Sequence, residues 1–266
     1  MDFSILIAVP TKNSSKDLKF LIKSLDSQTF QNWKVLFIDG SNSLDEIIWL
    51  KDFCKNNEKY NIVGEDKSNG GIYGAMNQAF KIVNDIDWLI FWGSDDYAFS
   101  KNIIELISNH IKNNLENGSY FDLMIYKANY FCKEKNLMNR VSYFAEKESN
   151  YNSSRYKTQL FFGSSLPHQA TIFSPKVRSR NLKYNLKFKL AADLEYFLKL
   201  SEFKDLNVKI YKTKIVSIGD NGVSSKKHLI RTYEVVTLYL KYFRFLFFVP
   251  FLFRYLRRIL SLLKKK

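Results

Sequence analysis

The 266-residue sequence predicts an α/β fold: a doubly wound, mainly parallel sheet with a mixed extension and a C-terminal amphipathic helical tail. Three observations point there. Short apolar runs alternate with longer amphipathic ones over residues 1–100, the stretch beyond turns irregular and strand-rich, and the end of the chain is at once apolar and basic.

SILIAVP (4–10) reads as a buried strand ending in a turn, and Lys16 to Ser27 as the helix after it. WKVLFIDG (33–40) is the second strand and Leu44 to Asn56 the second helix. NIVGE (61–65) is a weaker third strand, Ile72 to Val83 the third helix, and WLIFWGSDD (88–96) the fourth strand with its exit turn. This β-α-β-α-β-α-β order calls for crossover connections and therefore parallel pairing. Beyond it the pattern predicts a helix over Lys101 to Leu115, then strands in FDLMIY (121–126), VSYF (141–144), QLFF (159–162) and ATIFS (170–174). A helix starts around Ala191 to Glu195 and runs to Phe203, and a strand follows in VKIYKTKIVSI (208–218). Residues 1–225 thus read as one domain with halves 1–100 and 101–225, and residues 226–266 as a tail.

With 46% hydrophobic and 16% aromatic residues the chain can bury a sizeable core, which excludes a mainly disordered protein. Its net charge of +15 suggests nucleic acid or anionic membrane until it is located. Eleven basic residues and a single acid, Glu234, lie from Lys226 onward, so the tail holds +10 of it and the body only +5. With no nucleic-acid motif in the body, nucleic acid is not an expected partner. Cys54 and Cys132 stand far apart without a CxxC pair, so neither a zinc site nor a disulfide framework is expected, and a reduced compartment fits. The start lacks the basic residues and cleavage site of a signal peptide, which predicts a cytoplasmic body.

Ligands of such sheets bind beyond the carboxyl ends of the strands. The first exit offers Pro10, Thr11 and Asn13, the second Asp39, Gly40 and Ser41, and the fourth Ser94, Asp95 and Asp96. Adjacent carboxylates such as Asp95 and Asp96 can divide a ribose contact from a divalent cation, yet they also suit a helix cap or Asx-turn. Asp39-Gly40-Ser41 could accept the imide N–H of a uracil or simply end a strand. SNGGIYGAMNQAF (68–80) sets two glycines, with Gly71 nearest, before a helix start, which would point N–H groups at a ligand or only shape a loop. His168, in Pro167-His168-Gln169-Ala170, is the histidine best placed to touch phosphate or metal, against the commoner structural role. Asp193, near a helix start in KLAADLEYFLKL, is either an exposed acid favoured by the helix dipole or a general base.

Taken in order, AVPTKN (8–13), SLDSQTFQNWKVLFIDGSN (24–42), GGIYGAMNQAF (70–80), GSDD (93–96), PHQATIF (167–173) and LAADLEYFLKL (190–200) resemble the family 2 glycosyltransferases of the GT-A fold, over roughly residues 3 to 220. The resemblance implies a Rossmann-like GT-A domain and bacterial synthesis of polysaccharide or lipopolysaccharide. It implies a metal-dependent, inverting transfer from a nucleotide sugar, a UDP-sugar, with Mn²⁺ or Mg²⁺ as cofactor. Asp39 would contact uracil, Asp95 the ribose or the metal shell, and Asp96 the metal. His168 would lie near the donor diphosphate or the acceptor. Asp193 would be the base, and Pro10, Thr11, Asn13, Gly71, Tyr73, Asn77 and Ser94 would join the donor-binding set. Lys12, Ile38, Asn69 and Gly74 depart from the family pattern on the donor side, where base and sugar are held.

The tail, LYLKYFRFLFFVPFLFRYLRRILSLLKKK (238–266), is apolar and basic, but its uncharged run Phe245 to Phe253 contains Pro250 and is far short of the ~20 residues that span a bilayer. It predicts either a kinked helix in the headgroup layer of an anionic membrane or a helix packed on the body or a partner. With the resemblance, the first points to a peripheral enzyme on the cytoplasmic face of the inner membrane, and to an acceptor on a polyprenyl diphosphate lipid. The alternative is a membrane-surface adaptor that keeps the fold without catalysis. Nucleotidyl transfer is disfavoured, because PTKNSS stands where a glycine-rich loop with Arg and Lys belongs.

Overall fold

The computed structural model describes residues 3–132, 137–142, 144–145, 147–219 and 228–263. The N-terminal half contains β1 (Ile5–Thr11), α1 (Ser15–Asp26), β2 (Trp33–Asp39), α2 (Leu44–Lys55), β3 (Tyr60–Gly64), α3 (Ile72–Ile82) and β4 (Trp88–Phe91). Then come β5 (Tyr97–Ala98), α4 (Ile103–Glu116), β6 (Leu123–Cys132), β7 (Leu137–Val141), β8 (Ser149–Asn152) and α5 (Ser153–Phe161). The chain continues through β9 (Thr171–Phe173), α6 (Pro175–Ser179), α7 (Ala192–Leu200), β10 (Asn207–Gly219), α8 (His228–Phe243) and α9 (Phe248–Leu263).

The strands form one sheet in the order β3-β2-β1-β4-β9-β6-β10-β5, with β7 paired to β6 and β8 to β10. β3, β2, β1 and β4 are parallel neighbours, and β9 runs antiparallel between β4 and β6, where the sheet turns mixed. Alternation along β1 explains the double winding. Ile5, Ile7 and Val9 face the layer of α1, α2 and α4, while Leu6 and Ala8 face that of α3, α5, α7 and α8. Helix α1 shows how sequence makes such a layer: Leu18, Leu21, Ile22 and Leu25, spaced as one helical face, are its buried residues.

Several expectations are corrected. QLFF (159–162) lies in and just after a helix, because the Asn152 side chain accepts from Arg155 N (2.9 Å) and starts α5, whose Tyr156 and Leu160 bury one face. VSYF (141–144) contributes only Val141 to β7; Ser142 N still reaches Ala128 O (2.8 Å), but the Ser142 hydroxyl takes over as acceptor for Ala128 N (2.8 Å), and Tyr143 lies outside the described residues. The fourth strand stops at Phe91, after which the chain turns into β5, antiparallel to β10. The tail does not kink at Pro250. It breaks at Arg244, where φ is 51°, and Pro250 lies in the first turn of α9, where a missing N–H costs nothing. The tail residues Lys226, Lys227 and Lys264 to Lys266 lie outside the described residues.

Candidate active site

The register of β1 on β2 sets Thr11 beside Asp39. Thr11 Oγ1 donates to Asp39 Oδ1 (2.9 Å), and Ser41 adds its hydroxyl (2.6 Å) and backbone N–H (3.2 Å) to the same oxygen. Asp39 is buried but lies at the strand exit, so its carboxylate is fixed by three donors on one atom. Asn13, at φ 49°, staples the two exit loops: its N–H bonds Ser41 Oγ (2.8 Å), and its Oδ1 accepts from Asn42 N and Ser43 N (both 3.2 Å). Pro10 is half-buried opposite Ile38.

The third exit ties the second to α3. Glu65 N bonds Asp39 O (2.8 Å), while the Glu65 carboxylate accepts from the N–H of Gly71, the residue that caps α3 at φ 94°. Gly74 has a structural reason: a Cβ there would run into the Asn69 carbonyl, so no larger residue is accommodated without moving that turn.

At the β4 exit, Asp96 is almost fully buried and folds back so that Oδ2 accepts from Gly93 N (2.6 Å). Asp95 lies against two glycines. A Cβ on Gly219, at the end of β10, would collide with its carboxylate, and one on Gly93 would stand 3.1 Å from Asp95 Oδ1 and 3.3 Å from Asp96 Oδ2. Ser94 is half-buried in the same turn. β1 separates the exits of β2 and β4, so those two strand ends lie about 10 Å apart by strand spacing, a span suited to a nucleoside. Among the described residues no three His, Cys, Asp or Glu side chains form a metal cage. Two adjacent carboxylates in a glycine-lined cradle nevertheless fit a hard divalent cation whose other ligands come from a diphosphate and water.

Asp193 lies in the first turn of α7, half-buried, and receives a hydrogen bond from Tyr73 Oη (3.2 Å) across 120 residues of chain. Burial, then the charge of Asp193, push the Tyr73 phenol well above its usual value, so it remains a donor. Of the two readings of Asp193, the structure thus shows an acid joined to the α3 side of the pocket rather than a solvated helix-start residue.

Two expected donor-site residues carry structural contacts with Tyr184. Asn77 clasps the Tyr184 backbone from both sides, donating to its carbonyl (2.9 Å) and accepting from its N–H (2.8 Å). His168 is buried among Phe91, Phe173, Phe197 and Tyr184, and its Nε2 meets Tyr184 Oη at 2.7 Å. Burial lowers its pKa to about 4, which keeps the ring neutral near pH 7, so it supplies no positive charge to a diphosphate.

The acceptor side also uses residues that sequence reasoning missed. Glu234, buried on α8, accepts from Lys189 N (2.7 Å) and Leu190 N (2.8 Å), which fixes the segment just before Asp193. Glu195, fully buried on α7, holds Lys241 of α8 (3.0 Å) and Lys199 (3.3 Å). The Glu234 contacts and the Glu195–Lys241 pair join positions more than 40 residues apart; the one available signal was the acid Glu234 standing alone in a basic tail.

Residues 6–179 match the family described as Glycosyl transferase family 2. A PGL/p-HBAD biosynthesis glycosyltransferase of Mycobacterium bovis is 21% identical over 220 residues, 83% of this chain and 77% of that protein. A crystal structure of S. aureus TarS 1-349 in complex with UDP-GlcNAc superposes with a TM-score of 0.65 at 17% identity, over 90% of this chain and 66% of that one. The mannosyltransferase PcManGT of Pyrobaculum calidifontis, in complex with GDP-Man and Mn²⁺, gives 0.56 at 10% identity, over 92% and 65%. The chain therefore spans just under two thirds of the length of these solved structures, and the likeness extends to the GT-A fold expected from the sequence.

Proposed function

Because the chain belongs to glycosyl transferase family 2, we propose that it moves a sugar from a UDP-sugar to a saccharide acceptor on a polyprenyl diphosphate lipid, in one inverting displacement, during synthesis of cell-surface polysaccharide or lipopolysaccharide. The observation that carries this reading is the convergence on one sheet edge of Asp39, the Asp95-Asp96 pair and, through Tyr73, Asp193. The UDP-GlcNAc named with TarS and the GDP-Man and Mn²⁺ named with PcManGT support the donor class and the metal.

Asp39, immobilised by Thr11 and Ser41, accepts the imide N–H of uracil with its remaining lone pairs. Asp95 and Asp96 would hold Mn²⁺ or Mg²⁺, which when bound neutralises the charge growing on the departing nucleoside diphosphate. The start of α3 at Gly71 closes the donor side, with its N-terminal dipole directed at the anion. Asp193 takes the proton of the acceptor hydroxyl as the new bond forms, and the Tyr73 phenol holds the carboxylate in place for that step. His168 and Asn77 serve by shaping the wall behind these groups through Tyr184.

The tail suits a peripheral enzyme on the cytoplasmic face of the inner membrane. One face of α8 is buried at Val235, Leu238 and Tyr239, while Tyr233, Leu240, Phe245, Phe248, Leu252 and Leu256 are exposed among Arg and Lys. Among the described residues no helix is long and apolar enough to cross a membrane. Such a face fits the headgroup region of an anionic leaflet.

The test is nucleoside diphosphate release from a panel of UDP- and GDP-sugars, with Mn²⁺ or EDTA, using detergent-solubilised lipid extract as acceptor. One donor should turn over only with metal, and Asp96→Ala and Asp193→Asn should each lower the rate by about 10²-fold or more. Asp193→Asn should leave UDP affinity unchanged. Absence of both UDP and metal binding in the wild-type chain would favour the adaptor alternative.

A further inference from the structure

We propose that the lysine-bearing segment 183–190, just before α7, is a second membrane contact of this chain, docking on an anionic phospholipid surface beside the tail helix α8. The inference rests on the membrane reading of the tail and extends it to the body. It starts from the charge of residues 175–190, which hold six cations, Lys176, Arg178, Arg180, Lys183, Lys187 and Lys189, and no acid. The first three are used inside the body. Lys176 and Arg180 pair with the buried Asp122 (3.3 and 2.8 Å), and Arg178 donates to the carbonyls of Asn84 and Asp87 (2.6 and 2.7 Å). Lys183, Lys187 and Lys189 are exposed, and among the described residues none of them forms an ion pair.

The backbone beneath these lysines is held from three sides. Asn77 of α3 clasps Tyr184, and the Lys187 N–H bonds Asn185 Oδ1 (3.1 Å). Glu195 Oε1 accepts from both Asn185 Nδ2 (3.2 Å) and Lys241 Nζ (3.0 Å), while Glu234 accepts from Lys189 N (2.7 Å) and Leu190 N (2.8 Å). With Lys199 on the other Glu195 oxygen (3.3 Å), the two buried acids under the segment are already engaged, and the three lysines remain at the surface.

Helical periodicity gives the segment its neighbour. Glu234 and Lys241, its two contacts on α8, are seven residues apart and so share one face of the helix. To one side of that stripe α8 is buried at Val235, Leu238 and Tyr239. To the other side Ile230, Tyr233, Leu240 and Arg244 are exposed, Tyr233 by 73%. The segment therefore runs along the border of the exposed apolar arc. Cations without acid partners that flank exposed aromatic and aliphatic side chains match the headgroup layer of an anionic bilayer, which takes apolar groups at its acyl boundary and lysines at its phosphates. Asp193 lies in the first turn of the helix that follows the segment, so this contact sets the candidate base toward the lipid surface.

The test is cosedimentation of the full chain with vesicles of phosphatidylglycerol and phosphatidylethanolamine at low salt. A variant carrying Lys183→Gln, Lys187→Gln and Lys189→Gln should bind about 100-fold more weakly, since each lysine near such a surface contributes about fivefold, and should show a shallower salt dependence. A matched variant with Lys16→Gln, Lys19→Gln and Lys23→Gln, all exposed on α1 in the opposite helix layer, loses the same charge and should lose less than about threefold in affinity. Equal losses in the two variants overturn the proposal and leave the tail as the membrane contact. Self-association of the wild type without vesicles, lost in the segment variant, assigns the face to a second copy and overturns it as well. A wild-type chain that fails to bind the vesicles overturns the membrane reading of the tail, and this proposal with it. UDP affinity and melting temperature should match the wild type in both variants, because the substituted side chains are exposed.

Discussion

The two sides of the site are built differently. On the donor side, Thr11, Asn13, Asp39 and Ser41 hold one another within two adjacent strand exits, largely through short side chains and backbone N–H groups. On the proposed acceptor side, Asp193 is tied to Tyr73 from α3 and, through the segment before it, to Glu234 from α8. The donor side is a local product of parallel strand register. The acceptor side exists only once the tail is packed, so losses there should propagate further.

The largest expected effect tests that dependence. Glu234→Ala removes the buried carboxylate that accepts from two part-buried N–H groups, at Lys189 and Leu190, and at about 1.5–3 kcal/mol for each hydrogen bond to a charged group should lower stability by about 3–4 kcal/mol. Urea unfolding measures it; a change below about 1 kcal/mol would show that the acceptor side does not lean on α8.

Next comes a pH effect at the wall between the two sides. His168 titrates near 4 when folded and near 6.5 when unfolded, so below about 6.5 the unfolded chain binds the proton more tightly. Stability should therefore fall as pH drops from about 6.5 to about 4, by up to about 3 kcal/mol. His168→Gln, which keeps a polar partner for Tyr184, should flatten that dependence in urea titrations at pH 7 and pH 4.5. An unchanged slope would place the sensitivity elsewhere.

The smallest effect belongs to the donor side. Thr11→Val removes one of three donors to Asp39 Oδ1 and should cost about 1 kcal/mol in stability. A loss as large as that of Glu234→Ala would dissolve the contrast between a locally redundant side and an interdependent one.

This contrast also decides what could be read before folding. The first four strands and three helices were legible because apolar periodicity is local, and Asp39, Asp95 and Asp96 because a parallel sheet exposes the residues after its strands. Asp193 was legible as a candidate but its partner was not, since the hydrogen bond that sets it apart from a solvated helix-start acid comes from Tyr73, 120 residues away. QLFF misled because four apolar residues fit a strand or a helix face equally, and the Asn152 cap decided for the helix. Asn77 and His168 were legible as candidates because they lie in motifs, but their structural contacts were not. Their partner Tyr184 lies in a segment with no periodic signal.

The sequence by itself determined the sheet, its parallel half, the acidic strand exits and an amphipathic basic tail, because hydrophobic period, turn chemistry and charge are written in neighbouring residues. Only the tertiary structure decided that the tail helix α8 packs on α7 and the segment before it, that Glu234 is a buried acid with partners there, and that burial holds His168 neutral. Those outcomes depend on desolvation and on contacts between distant segments, and a buried charge reveals its purpose only when its surroundings are assembled around it.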